Sequence, residues 1–226
     1  MATPDDPPRA SDRVHEALRD EILAGSLEPG AAVPSERTLA ERFGVHRQSV
    51  REALKRLEQA GLVEITHGGA TRVLDWRDQG GLEILADLAD VGGGEPPAGL
   101  ARSVIEMRAS IGIDAARLCV DRASDAELAE VNRLAGEAAV QVGGPIDQLE
   151  LSYAAMWRTV VIGSGNIAYR LAFNSLVRAL PSRREMADAV RPDEADAIRA
   201  FGTAIRARDS EAATRCAREL LAPGRT

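Results

Sequence analysis

Cysteine is nearly absent from this 226-residue chain: Cys119 and Cys216 are the only two, far apart and outside any paired metal-ligand spacing. A disulfide framework and a cysteine zinc site are thereby excluded, and both residues read as buried, reduced thiols. Histidine stops early. His15, His46 and His67 are the full set, so no imidazole after His67 can serve a soft divalent metal. No uninterrupted apolar run approaches the roughly 18 residues of a membrane-spanning helix, which excludes a bilayer-crossing role. Met1–Pro8 carries acids and prolines where a signal peptide needs a basic start and an apolar stretch, so a cytoplasmic location is expected. Lysine occurs once, at Lys55, and this extreme preference for arginine reads as a compositional habit rather than a device.

What remains is an ordinary soluble composition, 45% apolar and 28% charged, on a chain long enough for one large domain or two small ones. The net charge of −7 argues against indiscriminate coating of nucleic acid. Its distribution matters more. Residues 37–56 hold Arg37, Arg42, Arg47, Arg51, Lys55 and Arg56 against only Glu41 and Glu52, whereas residues from 78 onward hold 17 basic and 22 acidic side chains. The two halves are expected to meet different partners.

Residues 1–10, rich in proline and poor in apolar anchors, read as a disordered arm. Val14, Leu18 and Ile22 predict a helix over 12–24, stopped by Gly25. After the turn Glu28-Pro29-Gly30, Ser35 is placed to N-cap a short helix that ends near Phe43-Gly44. Val50, Ala53, Leu54 and Leu57 form the buried stripe of a third helix over 47–59, with Gly61 as its stop. The β-prone runs 62–66 and 71–74, joined across His67-Gly68-Gly69-Ala70, predict a hairpin. Three helices followed by a two-stranded ribbon make a winged helix-turn-helix, assigned to 11–74, with 75–81 as linker. Strand signals then almost vanish. Apolar periodicity predicts helices near 82–90, 98–121, 125–141, 146–162, 167–180, 193–207 and 210–221, with a Ser124-x-x-Glu127 capping box and a flexible loop at 92–97. The fold class is therefore mainly α: an N-terminal winged helix-turn-helix and a C-terminal all-helical bundle over 82–222.

Arg47, Arg51 and Lys55 recur every four residues on one helix face, about 100° from the centre of the buried stripe. One face packs while the next reaches out, as a helix entering the DNA major groove requires; its first turn, His46-Arg47-Gln48-Ser49, would meet base edges. Arg37 could clamp a phosphate or base from the side, and Gly68 at the hairpin tip would let backbone approach the minor groove. Enzyme signatures are missing. Gly163-Ser-Gly165 lacks the nucleophile-elbow spacing, His15-Glu16 lacks a second zincin histidine, and Gly92-Gly-Gly94 is not followed by Gly-Lys-Ser/Thr.

The stretches 34–45 (Pro-Ser-Glu-Arg-Thr-Leu-Ala-Glu-Arg-Phe-Gly-Val), 47–54 (Arg-Gln-Ser-Val-Arg-Glu-Ala-Leu) and 57–63 closely resemble the DNA-binding domain of GntR-superfamily transcription regulators. Residues 65–73, with Gly80-Gly-Leu-Glu-Ile-Leu85, resemble more particularly its fatty-acid-responsive FadR branch. The resemblance implies DNA contacts from Arg37, Arg47, Gln48, Ser49 and Arg51, with His67 and Gly68 at the minor-groove tip; His46 stands where the family usually has Ser or Thr. It further implies a homodimer on a palindromic double-stranded operator and no membrane partner. Glu106-Met-Arg108, Gly163-Ser-Gly-Asn166 and 204–209 resemble the family's effector-binding and dimerisation domain. Many relatives hold a metal there with one Asp and three His. The matching positions in this chain are Tyr153, Trp157, Ile198 and Leu220, so no metal or other cofactor is expected. Such replacements suit a pocket for a greasy effector, or else close an unused cavity. By resemblance Arg108, with Tyr153, Trp157, Tyr169 and Asn174, would hold a long-chain acyl-CoA, whose binding would release the operator. A small metabolic carboxylate is the rival effector. A metabolite- or protein-binding module that has lost DNA recognition is the rival function.

Overall fold

Val14, Leu18 and Ile22 stand four residues apart, and in the computed structural model, which describes residues 9–66, 69–90, 97–179 and 194–222, they are the buried face of helix α1, Ala10–Leu23. Ser35 caps α2, Glu36–Phe43, by accepting from the Thr38 amide at 3.2 Å. Gly44 ends that helix in the left-handed region at φ 63°, a conformation that costs glycine nothing, and α3, Arg47–Gln59, starts three residues later. Gly61 is required twice over: its φ is 70°, and a Cβ there would lie 2.6 Å from the Gln79 carbonyl oxygen. Strands β1, Val63–Glu64, and β2, Arg72–Val73, pair antiparallel with Val63 opposite Val73.

The sequence reading gives a turn at Glu28-Pro29-Gly30 and assigns no element to 31–33. Ala32 bridges Arg72, and the Val33 amide donates to the Thr71 carbonyl at 2.8 Å, so 30–33 adds an extended edge to β2. The run is too short, and too closely flanked by Gly30 and Pro34, to carry a strand signal of its own. His67 and Gly68, assigned to the hairpin tip, lie outside the described residues, as do the arm at 1–8 and most of the glycine-proline loop.

The stretch expected as linker holds one turn of helix, α4, Trp76–Gln79, capped by Asp75. A 3₁₀ turn, Leu82–Ile84, and α5, Leu85–Ala89, follow. Asp87 of α5 accepts from Arg19 of α1 at 2.9 Å. Contacts of this kind divide the chain into two units between Pro96 and Pro97, so 82–90, expected with the helical domain, stands with the first unit.

In the second unit α6 (Leu100–Arg122), α7 (Asp125–Gln141), α8 (Ile146–Gly163), α9 (Ile167–Ala179), α10 (Ala195–Arg206) and α11 (Ser210–Leu221) surround one core. The Ser124–Glu127 capping box forms reciprocally: Ser124 Oγ accepts from the Glu127 amide at 3.3 Å, and Glu127 Oε2 accepts from the Ser124 amide at 2.8 Å. Helices α7 and α10 pack along each other through small residues; a Cβ on Gly202 would meet Ala135 Cβ at 2.6 Å. Arg208, in the turn between α10 and α11, adopts φ 56° and spends its guanidinium on the C-terminal end of α6, donating to the carbonyls of Val120 at 2.7 Å and Ala123 at 2.8 Å. It satisfies carbonyls that a helix end leaves without intrahelical partners. Both cysteines are free thiols; Cys119 is buried as expected, whereas Cys216 is only half-buried because it stands beside the buried Ala213–Ala217–Leu221 stripe of its helix. Among the described residues, no helix is long and apolar enough to cross a membrane.

Candidate nucleic-acid interface and effector site

Helix α3 buries Val50, Ala53, Leu54 and Leu57 and leaves His46, Arg47, Gln48, Arg51 and Lys55 exposed, with Ser49 half-buried. The basic face is thus a consequence of period 3.6 acting on two interleaved residue sets. His46 occupies the N-cap but offers no side-chain cap bond; its carbonyl accepts from the Ser49 amide at 3.0 Å, which leaves the Arg47 and Gln48 amides as the donor surface at the positive end of the helix.

The six cations of 37–56 are not equivalent. Arg56 pairs with Asp12 at 2.6 Å and Arg42 with Glu21, both acids of α1, so these two arginines are directed at α1 rather than outward. Burial, with Arg56 and Arg19 adding their charges, pushes the neighbouring His15 down to about 4, which keeps that imidazole neutral in the same seam. The outward set is Arg37, Arg47, Arg51 and Lys55. Arg37 makes one contact with Glu41 on its own helix at 2.8 Å, and Gln48 Nε2 donates to Glu52 at 3.3 Å. Arg51 is held by Glu36 through two hydrogen bonds, which, with the nearby Arg47 charge, keep the Glu36 carboxyl below its usual range. Arg47 forms no ion pair among the described residues, and Lys55 forms none either. Glu36 is the residue that sequence reading missed: it stands 15 positions from Arg51, and no local period connects them.

In the second unit the structure brings together Arg108, Tyr153 and Trp157. Burial lowers the pKa of Arg108 from its ordinary value, opposed by the Tyr153 hydroxyl, and burial raises that of Tyr153. The Tyr153 ring meets Trp157 edge-on at 6.2 Å, and Trp157 lies 5.0 Å from Phe201 of α10. Tyr153 donates to the Leu220 carbonyl at 3.4 Å, so two of the positions that resemblance places at the metal site are neighbours here, and Ile198 is fully buried in the same core. Nε1 of Trp157, in a residue only 5% exposed, makes no well-formed hydrogen bond among the described residues, although the Tyr153 hydroxyl is close enough to feel it. Gly112, one turn beyond Arg108 on α6, makes room for Trp157 and Leu221. Tyr169 packs against the same core and spends its hydroxyl on Asp114 of α6, donating at 3.0 Å, and Asn174 is half-buried farther along α9. Among the described residues, no three His, Cys, Asp or Glu side chains come together as a metal site would need.

Residues 10–73 match the model of bacterial regulatory proteins of the gntR family, and residues 103–223 match the FCD domain. The HTH-type transcriptional regulator Mce2R of Mycobacterium tuberculosis (strain CDC 1551 / Oshkosh) is 36% identical over 217 residues, which cover 93% of this chain and 88% of the relative. A fatty acid metabolism regulator protein of Serratia proteamaculans (strain 568) is 30% identical over 161 residues, covering 71% of this chain and 65% of the relative. A solved structure of Lar, which controls expression of the Listeria monocytogenes agr system, aligns with a TM-score of 0.50 at 15% identity, over 96% of this chain and 95% of that one. That last likeness concerns the fold alone.

Proposed function

Because the chain belongs to the GntR family of bacterial regulatory proteins and carries an FCD domain, we propose that this DNA-binding transcription regulator reads a palindromic operator as a homodimer and is released by a long-chain acyl-CoA. The observation that carries the DNA half is the exposed Arg47–Arg51–Lys55 face of α3, set directly beyond the Gly44 turn. Arginines there have the reach and donor geometry for guanine edges, and Gln48 has the amide that suits adenine. One small head makes few contacts, so tight specific binding follows when a two-fold dimer duplicates them on two half-sites.

The effector half rests on Trp157 and Arg108. A buried indole N–H left with only a poorly placed hydroxyl beside it gains from an acceptor that a ligand supplies, and a neighbouring guanidinium suits an acidic head group. Tyr153, Phe201, Ile198 and Leu220 add apolar surface for a chain. The Trp157–Phe201 and Tyr153–Trp157 contacts must part to admit one, which gives a ligand differential affinity for two arrangements of the unit. The same close packing favours the second reading, a small metabolic carboxylate seated on Arg108 alone.

The deciding experiment is a titration of the full chain on a duplex that it has itself enriched from a random pool, with palmitoyl-CoA, free CoA or short organic acids added. Weaker operator binding with the long-chain thioester but not with free CoA, blunted by Arg108→Ala, is the expected result. No response to the thioester beside a clear response to a short acid selects the carboxylate reading. Failure to enrich or bind any duplex at low salt refutes the DNA-reading assignment itself.

A further inference from the structure

Arg51 Nε donates to Glu36 Oε1 at 2.9 Å and Arg51 Nη2 to Glu36 Oε2 at 2.7 Å, so carboxylate and guanidinium meet side-on as a bidentate fork. Glu36 is the first residue of α2 and Arg51 lies in the second turn of α3, so the pair crosses the helix-turn-helix bend. Its side chains are 35% and 55% exposed, a setting in which an ion pair adds little to stability. What the fork does supply is orientation. A guanidinium carries five N–H donors in one rigid plane. Side-on pairing consumes the Nε hydrogen and one Nη2 hydrogen, and Nη1 bonds no described residue. The Nη1–Nη2 edge therefore remains, one donor from each nitrogen, spaced to meet O6 and N7 of a guanine. Arg37 offers a contrast, since its single bond to Glu41 through Nη1 leaves the plane of its guanidinium free to turn.

We propose that Glu36 is a positioning residue that buttresses Arg51, holding its guanidinium so that the Nη1–Nη2 edge reads one guanine in each half-site. This rests on the reading of α3 as the recognition helix. An unbuttressed arginine at the same place is free to settle on phosphate oxygens, which accept it from many directions and carry no sequence information. The carboxylate also repels the DNA backbone. Glu36 thus lowers affinity for every duplex while raising discrimination at one base pair, and those two effects have opposite signs when it is removed.

The test uses the full chain as parent, Glu36→Ala, Glu36→Gln, Arg51→Ala and the Glu36→Ala/Arg51→Ala double variant, each checked for parental circular dichroism. A random duplex pool is enriched with the parent; all variants are then titrated on the enriched duplex, on its single-base variants and on an unrelated duplex. A base pair read by one bidentate arginine is discriminated by roughly fivefold to more than a hundredfold. Glu36→Ala is expected to erase most of that factor at one position per half-site, while binding the unrelated duplex as tightly as the parent or tighter. Glu36→Gln, which keeps one acceptor, should fall between. In the Arg51→Ala background, Glu36→Ala should cause no further loss of discrimination. Unchanged discrimination in Glu36→Ala, or a gain on the enriched duplex as large as on the unrelated one, makes Glu36 a mere competitor for Arg51 and overturns the proposal. A parent that enriches no motif overturns the recognition-helix reading instead, so the two failures are distinct.

Discussion

Arg42, Arg47 and Arg56 carry the same side chain within 15 residues of one another, yet their surroundings give them different work. Arg42 and Arg56 are turned back onto acids of α1, whereas Arg47 stands exposed without an ion-pair partner among the described residues. Arg47→Ala should therefore lose about 1–3 kcal/mol of specific DNA affinity with no change in thermal midpoint, by the usual worth of a bidentate base contact. Arg42→Ala should leave affinity near the parent and lower stability by at most about 1 kcal/mol, because its ion pair with Glu21 is half-exposed. Titration on the enriched duplex beside a melting curve separates the two; equal affinity of Arg47→Ala and parent would remove Arg47 from the interface.

The helices of the second unit approach through glycine and alanine, and that closeness is testable at single glycines. A Cβ at Gly202 of α10 would stand 2.6 Å from Ala135 Cβ and 3.2 Å from Asn132 Cα, neither of which can swing aside. Gly202→Ala should destabilise by about 1–3 kcal/mol, the cost of overpacking a fitted contact. Gly136, on the partner helix α7, faces no atom within 4 Å of its would-be Cβ. Gly136→Ala should stabilise by up to about 1 kcal/mol, because alanine loses less backbone freedom in a helix interior. Urea titration of the two variants reads both signs, and a destabilised Gly136→Ala or a neutral Gly202→Ala would contradict the packing described.

Across the whole molecule the formal charge is −7, so the cations that meet DNA must be gathered on one surface rather than spread over the chain. After α1 has claimed Arg42 and Arg56, the outward set within 37–56 is Arg37, Arg47, Arg51 and Lys55. If Arg37 and Lys55 each neutralise a phosphate on two half-sites while Arg47 and Arg51 take base edges, about four counterions are released and the logarithm of affinity should fall against the logarithm of salt with a slope of about −3.6. Titrations between about 50 and 200 mM salt measure it. A slope of about half that size would mean that one head alone engages the duplex.

Everything legible in the sequence was local. Val14, Leu18 and Ile22, the Val50–Leu57 stripe, the Ser35 and Ser124 caps and the glycines at 44 and 61 each state their role within four residues, because helix period, capping and left-handed backbone are decided by near neighbours. The outward face of α3 follows from the same period, and Arg47 and Arg51 with it. The pairing of Glu36 with Arg51, the capture of Arg42 and Arg56 by α1, the edge that 30–33 adds to β2, and the placing of Arg208 on the end of α6 were decided only by the tertiary structure. So was the bond from the Tyr169 hydroxyl to Asp114. The physical reason is one of range: a long charged or aromatic side chain takes whatever partner the docked helices bring within about 3 Å, and that partner is fixed by how elements pack, not by what stands beside it in the chain.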